Sequence, residues 1–233
     1  VTTFALLHGA WGDGWCWRLV AEELGRRGHR AVAVDLPAGE PDMGGAACAD
    51  LAVEALDGVD DDITVVGHSM GGLVAPIVAE RRPVRRVVFV AGLLPLVGSS
   101  FYEQSTAAGR GQIVLPGLGR GQVDHGDGSS SWVDLDQAIA KMCPDAPRAV
   151  AVESAGRLRR QYWTVMSEVS PLIGWPDVEY ASVVCTDDAV VNPVWGRQSF
   201  RDRFHVQARE LPGDHSPHLA RPTALVDLLT APP

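Results

Sequence analysis

Residues 62–92 read DITVVGHSMGGLVAPIVAERRPVRRVVFVAG, and this pattern leaves few folds open. "DITVVGHS" (62–69) is a continuous apolar run with no alternation of faces, which is the mark of a strand buried on both sides. "MGGLVAPIVAERRP" (70–83) continues as a helix, which Pro76 should kink by removing one hydrogen bond. "VRRVVFVAG" (84–92) is again a strand. Strand, helix and strand with no room for a hairpin imply parallel strands joined by a right-handed crossover.

The same alternation extends outwards. "TTFALL" (2–7) and "RAVAVDLP" (30–37) read as strands, with helices at 15–29 and 46–58 that close on Gly28 and Gly58. After a long interruption come the strand "VEYASVVC" (178–185), a helix near 194–203, the strand "HVQARELP" (205–212) and a last helix at 217–229. Six strands with helices between them predict an α/β fold: a doubly wound, mostly parallel six-stranded sheet covered on both faces.

The interruption is different in kind. Residues 95–131 are rich in Gly and Ser without a sustained period, and 134–142 and 147–162 look helical. We expect 96–172 to form a cap or lid inserted into a core made of 1–95 and 173–233, with 117–131 as its mobile part. The 233 residues suffice for one such core with an insertion.

Charge and cysteine usage remove several function classes. A formal net charge of −9 argues against nucleic acid or an anionic membrane as partner. "VDDD" (59–62) reads as a solvated turn. The four cysteines (Cys16, Cys48, Cys143, Cys185) lack metal-binding or redox spacing, and Cys185 ends an apolar run as a buried thiol. No metal and no organic cofactor is implied. With neither a leader nor a spanning segment in view, a cytoplasmic protein is the expectation.

The chemistry centres on Gly67-His68-Ser69-Met70-Gly71, a G-x-S-x-G pentapeptide between a buried strand and a helix. A sharp strand-to-helix turn lifts the serine clear of the sheet and sets its oxygen near the helix N-terminus. A serine needs a base, and the base needs an orienting acid. "LPGDHSPHL" (211–219) offers two histidines. His215 lies in the loop beyond the last strand, whereas His218 follows Ser216-Pro217 and belongs to a helix's first turn, so His215 is the better base. The acid should come from "TDDAVVNP" (186–193), where Asp187 and Asp188 are not separated by these considerations.

The segments "LLHGAWGDGWCW", "VVGHSMGGLVA" and "CTDDAVVNP…PGDHSPHLARP" together resemble the α/β-hydrolase superfamily. The closer likeness is to its small-cap branch, which includes plant methyl-salicylate esterases, hydroxynitrile lyases and bacterial esterases. The resemblance implies Asp188 as the acid, an oxyanion hole from the Ala10 and Met70 amides, and structural roles for His8 and His68. It further implies that the chain begins at the third strand of the family's eight-stranded sheet. Lyases of the branch carry Thr after the first His and Lys after the catalytic His; Gly9 and Ser216 stand there in this chain, which disfavours lyase chemistry.

The resulting expectation is a carboxylesterase-type serine hydrolase acting on a small, fairly apolar ester. Its triad is Ser69, Asp188 and His215, and its activity falls in acid as the base takes up a proton. Trp11, Tyr102, Trp132, Tyr162 and Trp163 are the candidate pocket walls. Two alternatives are a non-hydrolytic biosynthetic enzyme on the same scaffold and a small-molecule-binding protein whose triad is little used.

Overall fold

In the computed structural model, which describes residues 1–37, 39–60 and 62–232, five of the six core strands follow the expected bounds closely. The chain runs β1 (Thr2–Leu7), α1 (Arg18–Arg26), β2 (Arg30–Val34), α2 (Gly45–Glu54), β3 (Asp62–His68), α3 (Gly71–Arg81) and β4 (Arg86–Val90). It then leaves the sheet through α4 (Phe101–Ala108), β5 (Gln122–Asp124), β6 (Ser129–Trp132), α5 (Leu135–Met142), α6 (Arg148–Gly156), β7 (Gln161–Tyr162) and α7 (Thr164–Ser167). It returns with β8 (Glu179–Cys185), α8 (Pro193–Phe204), β9 (Arg209–Leu211), α9 (Pro217–Ala220) and α10 (Pro222–Thr230). Asp61, part of the run read as a solvated turn, lies outside the described residues. Among the described residues no helix is long and apolar enough to cross a membrane.

The main sheet has the order β2-β1-β3-β4-β8-β9, and every pairing in it is parallel. Side chains alternate across it with period two. Ala5, Leu7, Val65, Val87 and Phe89 pack on one face with residues of α2, α3 and α8, among them Ala49, Val74 and Phe200. Phe4, Leu6, Val66, Val88 and Val90 pack on the other with Val20 and Leu24 of α1 and Leu225 and Leu229 of α10. Each fully buried Leu or Phe in these layers contributes roughly 1.5–3 kcal/mol of transfer free energy, which holds helices against both faces of the sheet. The strand order reverses at β1 and β3, and in such sheets the crevice beyond the strand ends at that point is where ligands bind.

Several sequence-based bounds are corrected. The helix expected over 147–162 stops at Gly156, and Gln161–Tyr162 is a strand. Its backbone turns away because the Arg159 N–H donates to the Trp11 carbonyl, 2.8 Å away, in place of a helical bond. The last helix is two: Arg221, at φ −141° and ψ 52°, is kept out of helical geometry by the ring of Pro222, which starts α10. β9 is shorter than 205–212 because α8 runs to Phe204 and ends on His205 in the left-handed region. Helix α3 is continuous across Pro76. The Gly/Ser-rich stretch 117–131 is not an irregular loop throughout. It supplies β5 and β6, which pair antiparallel with each other and, through β6, with β7 in a separate three-stranded sheet.

Candidate active site

Ser69 sits where the sequence pattern required a sharp turn, and its backbone has φ +51°. For a residue with a Cβ this costs on the order of 1–3 kcal/mol, so the surroundings must impose it. They do so with three hydrogen bonds: Ser69 N–H donates to Val90 O (3.1 Å), and Ser69 O accepts from Gly72 N–H (3.0 Å) and Leu93 N–H (2.9 Å). The flanking glycines are needed for space. A Cβ on Gly67 would meet Gly71 O at 2.6 Å, and one on Gly71 would meet Leu7 O at 2.7 Å.

The loop after β9 brings His215 against the loop after β8. The His215 Nδ1–H donates to Asp188 Oδ2 across 2.8 Å, and both residues are almost wholly buried. The other oxygen, Asp188 Oδ1, accepts from the Val190 and Val191 amides at 2.7 and 2.9 Å. Three donors thus pin this one buried carboxylate in place. Asp187 is exposed instead, and its Oδ2 accepts from Thr186 Oγ1 (2.8 Å) and Gly213 N–H (3.0 Å). With Nδ1 committed, Nε2 is the His215 nitrogen left to exchange a proton, and Ser69 and His215 line one cavity.

Three further imidazoles lie buried near this group, and burial lowers the pKa of each. His68 donates from Nε2 to the His215 carbonyl (2.8 Å), so it shapes the loop that carries His215. Burial, then the neighbouring His218 and His215, hold its pKa well below the usual value. His218 lies in α9 as its position after Ser216-Pro217 implied, packs at a tilt against Trp17 with ring centroids 4.9 Å apart, and is pushed by burial to a pKa of about 3. His8 is lowered to about 4, again chiefly by burial.

The cavity has a volume of about 330 Å³ and lies between the ends of β1 and β3 and the segments inserted after β4. Ala10 and Met70 both line it, and neither amide donates to another described residue. Of the anticipated wall residues, Trp11, Tyr102 and Trp163 face the cavity. Trp132 and Tyr162 do not. Trp132 backs Trp11 edge-on at 5.6 Å, and the Tyr162 hydroxyl donates to Asp127 on the outside of the small sheet. Walls missed from the sequence include Phe101, Met142, Met166 and Val191. They come from four separate segments, and no local signal marks them. No Asp, Glu, Lys or Arg side chain lines the cavity among the described residues.

A model of the alpha/beta hydrolase family matches residues 4–228. Methylesterase 7 of Arabidopsis thaliana is 36% identical over 104 residues, a match covering 40% of this chain and 40% of that protein. The first-ranked curated relatives are thus matched over about 40% of their length. Methylesterase 2 of the same plant is 25% identical across 98% of this chain and 94% of its own. Among solved structures, polyneuridine aldehyde esterase superposes with a TM-score of 0.79 over 98% of this chain and 97% of that one, at 19% identity, a likeness of fold.

Proposed function

The chain belongs to the alpha/beta hydrolase family, and from that premise we propose that it is a serine hydrolase that cleaves a small, fairly apolar carboxylic ester through Ser69, His215 and Asp188. The observation that carries the reading is the buried 2.8 Å pair of His215 and Asp188 at the wall of the cavity that Ser69 also lines. His215 Nε2 takes the Ser69 Oγ proton as the oxygen attacks the ester carbonyl carbon, and Asp188 stabilises the imidazolium that forms. The Ala10 and Met70 N–H groups hold the oxyanion, a contribution of roughly 3–4 kcal/mol per donor to the barrier. His215 returns the proton to the departing alkoxide as the C–O bond breaks. It then deprotonates water, which attacks the acyl-enzyme; as the bond from the acyl carbon to Ser69 Oγ breaks, His215 returns that proton to Oγ, releasing the acid and regenerating Ser69.

The absence of charged side chains from the described walls supports an uncharged substrate, and the cavity volume suits a small molecule. The names methylesterase and esterase among the curated relatives support an ester as the substrate class. Residues 96–172 act as the cap that closes the cavity over the sheet.

A fluorophosphonate probe tests the proposal. Wild type should be labelled stoichiometrically and Ser69→Ala not at all. A wild type that stays unlabelled, while folded, removes the hydrolase reading.

A further inference from the structure

The Gly9–Ala10 peptide unit is oriented by a chain of contacts that starts 150 residues away. Arg159, in the loop between α6 and β7, directs Nη2 to His8 Nε2 (3.3 Å), and Leu36 N–H donates to the same nitrogen (2.9 Å). The Leu36 N–H on Nε2 leaves that nitrogen no proton, so the neutral ring carries its hydrogen on Nδ1, and the Arg159 guanidinium braces the ring edge. That Nδ1–H donates to Gly9 O at 2.8 Å. In a trans peptide the C=O and N–H of one unit point in opposite directions. Anchoring Gly9 O to the His8 ring therefore turns the Ala10 N–H the other way, at a residue that lines the cavity.

The next two peptide units are held from the same segment. Trp11 has φ +60°, a conformation that costs energy for any residue with a side chain. Its N–H donates to Gln161 Oε1 (3.0 Å), its C=O accepts from Arg159 N–H (2.8 Å), and its indole N–H donates to Ser130 Oγ (3.2 Å). Arg159 also donates from Nε and Nη2 to Gly12 O at 2.9 and 2.6 Å, and from Nη2 to Leu36 O at 3.1 Å. Gln161 is fully buried. Every one of these partners of Trp11 and Gly12 belongs to the insertion between β4 and β8, and none to the strand that carries the loop.

We propose that Arg159 and Gln161 are positioning residues: the insertion aims the Ala10 amide by bracing the His8 ring and clamping Trp11 and Gly12. This rests on the reading of Ala10 as an oxyanion donor. The insertion is then a part of the reacting centre that cannot lift away at residues 159–161 without releasing the Ala10 amide, and substrate enters elsewhere around its rim.

The test compares wild type with Arg159→Met and, as a second route, Gln161→Met, which keeps the size of the side chain and removes the acceptor. Three quantities are read: kcat and KM on a p-nitrophenyl ester, affinity for a boronic acid that forms a tetrahedral adduct on Ser69, and the thermal midpoint. Misaiming the donor should lower kcat and boronate affinity together by roughly 10- to 100-fold, short of the loss when such a donor is removed outright. KM should change by less than about threefold, as expected for an interaction made only in the transition state. Variants that keep kcat and boronate affinity, or that lose activity only in step with the thermal midpoint, overturn the inference. A wild type unreactive to fluorophosphonate overturns the hydrolase reading and this inference with it; a reactive wild type with unaffected variants overturns this inference alone.

Discussion

His215 and Asp188 meet across 2.8 Å where both are almost wholly buried, and the backbone of Val190 and Val191 holds the second carboxylate oxygen. The adjacent Asp187 looks outward and ties the loop to Gly213. Two neighbouring carboxylates thus have separate work: one fixes an imidazole, the other fixes the loop.

Replacing them one at a time should separate those tasks. Asp188→Asn keeps the shape of the site but favours the wrong tautomer of His215, and kcat should fall by about 10⁴. Asp187→Asn, on the surface, should stay within about twofold of wild type. Steady-state kinetics on a chromogenic ester decides it, and equal losses in both would contradict the division.

Acid should destabilise the fold through its buried imidazoles. The unfolded chain binds protons near the usual histidine value of 6.5, whereas folded His8 does so only near 4 and folded His218 near 3. Between those values the unfolded state carries more protons, so the stabilisation is complete above pH 6.5 and is lost as the pH falls. At about 1.4 kcal/mol per unit for each group, His8 alone contributes up to about 3 kcal/mol. Urea midpoints measured at pH 7.5, 6 and 5 should decline steadily, and His218→Phe should flatten the decline. Midpoints independent of pH would contradict the assignment.

Gly71 and Gly25 should respond to alanine with opposite signs. A Cβ at 71 meets two backbone oxygens of the β1 end, Leu7 O at 2.7 Å and His8 O at 2.8 Å. Neither can move without disturbing the strand, so Gly71→Ala should cost about 3 kcal/mol. At Gly25, in α1, nothing lies within 4 Å of the added methyl, and Gly25→Ala should stabilise by about 0.5–1 kcal/mol. Thermal melts of both variants measure the pair.

Cavity size should depend on Trp163 and not on Tyr162. Trp163 lines the cavity and packs edge-on against Trp11 at 5.1 Å, so Trp163→Ala should move KM for aryl esters by about tenfold. Tyr162→Phe removes only a hydroxyl bonded to Asp127 outside, and KM should hold. A KM shift in Tyr162→Phe would place that ring at the substrate.

Much of the architecture was legible in the chain by itself. Unbroken apolar runs such as "TVV" and "RVVFV" demand burial on both faces, and the strand–helix alternation leaves only a parallel sheet to provide it. The turn around Ser69 was equally local, because Gly67, Gly71 and Gly72 are residues that close approach requires in sequence. His215 separated from His218 on the Ser-Pro that starts α9.

What the chain did not disclose depends on contacts between distant segments. Position and spacing left Asp187 and Asp188 open, and Asp188 was named only on the family resemblance. The two differ only in which way the loop between β8 and α8 turns, which the pairing of β8 with β9 and amides further along the loop decide. The strands β5, β6 and β7 are too short for any period to register. Arg159 and Gln161 reach His8 and Trp11 across 151 and 150 positions, and no periodicity carries a signal that far. Propensity and hydrophobic pattern act within a turn or a strand, so the sequence determined the sheet and the position of its sharpest turn. The directions of the amides and carboxylates that surround Ser69 were decided only when the folded chain brought remote donors and acceptors within hydrogen-bonding distance.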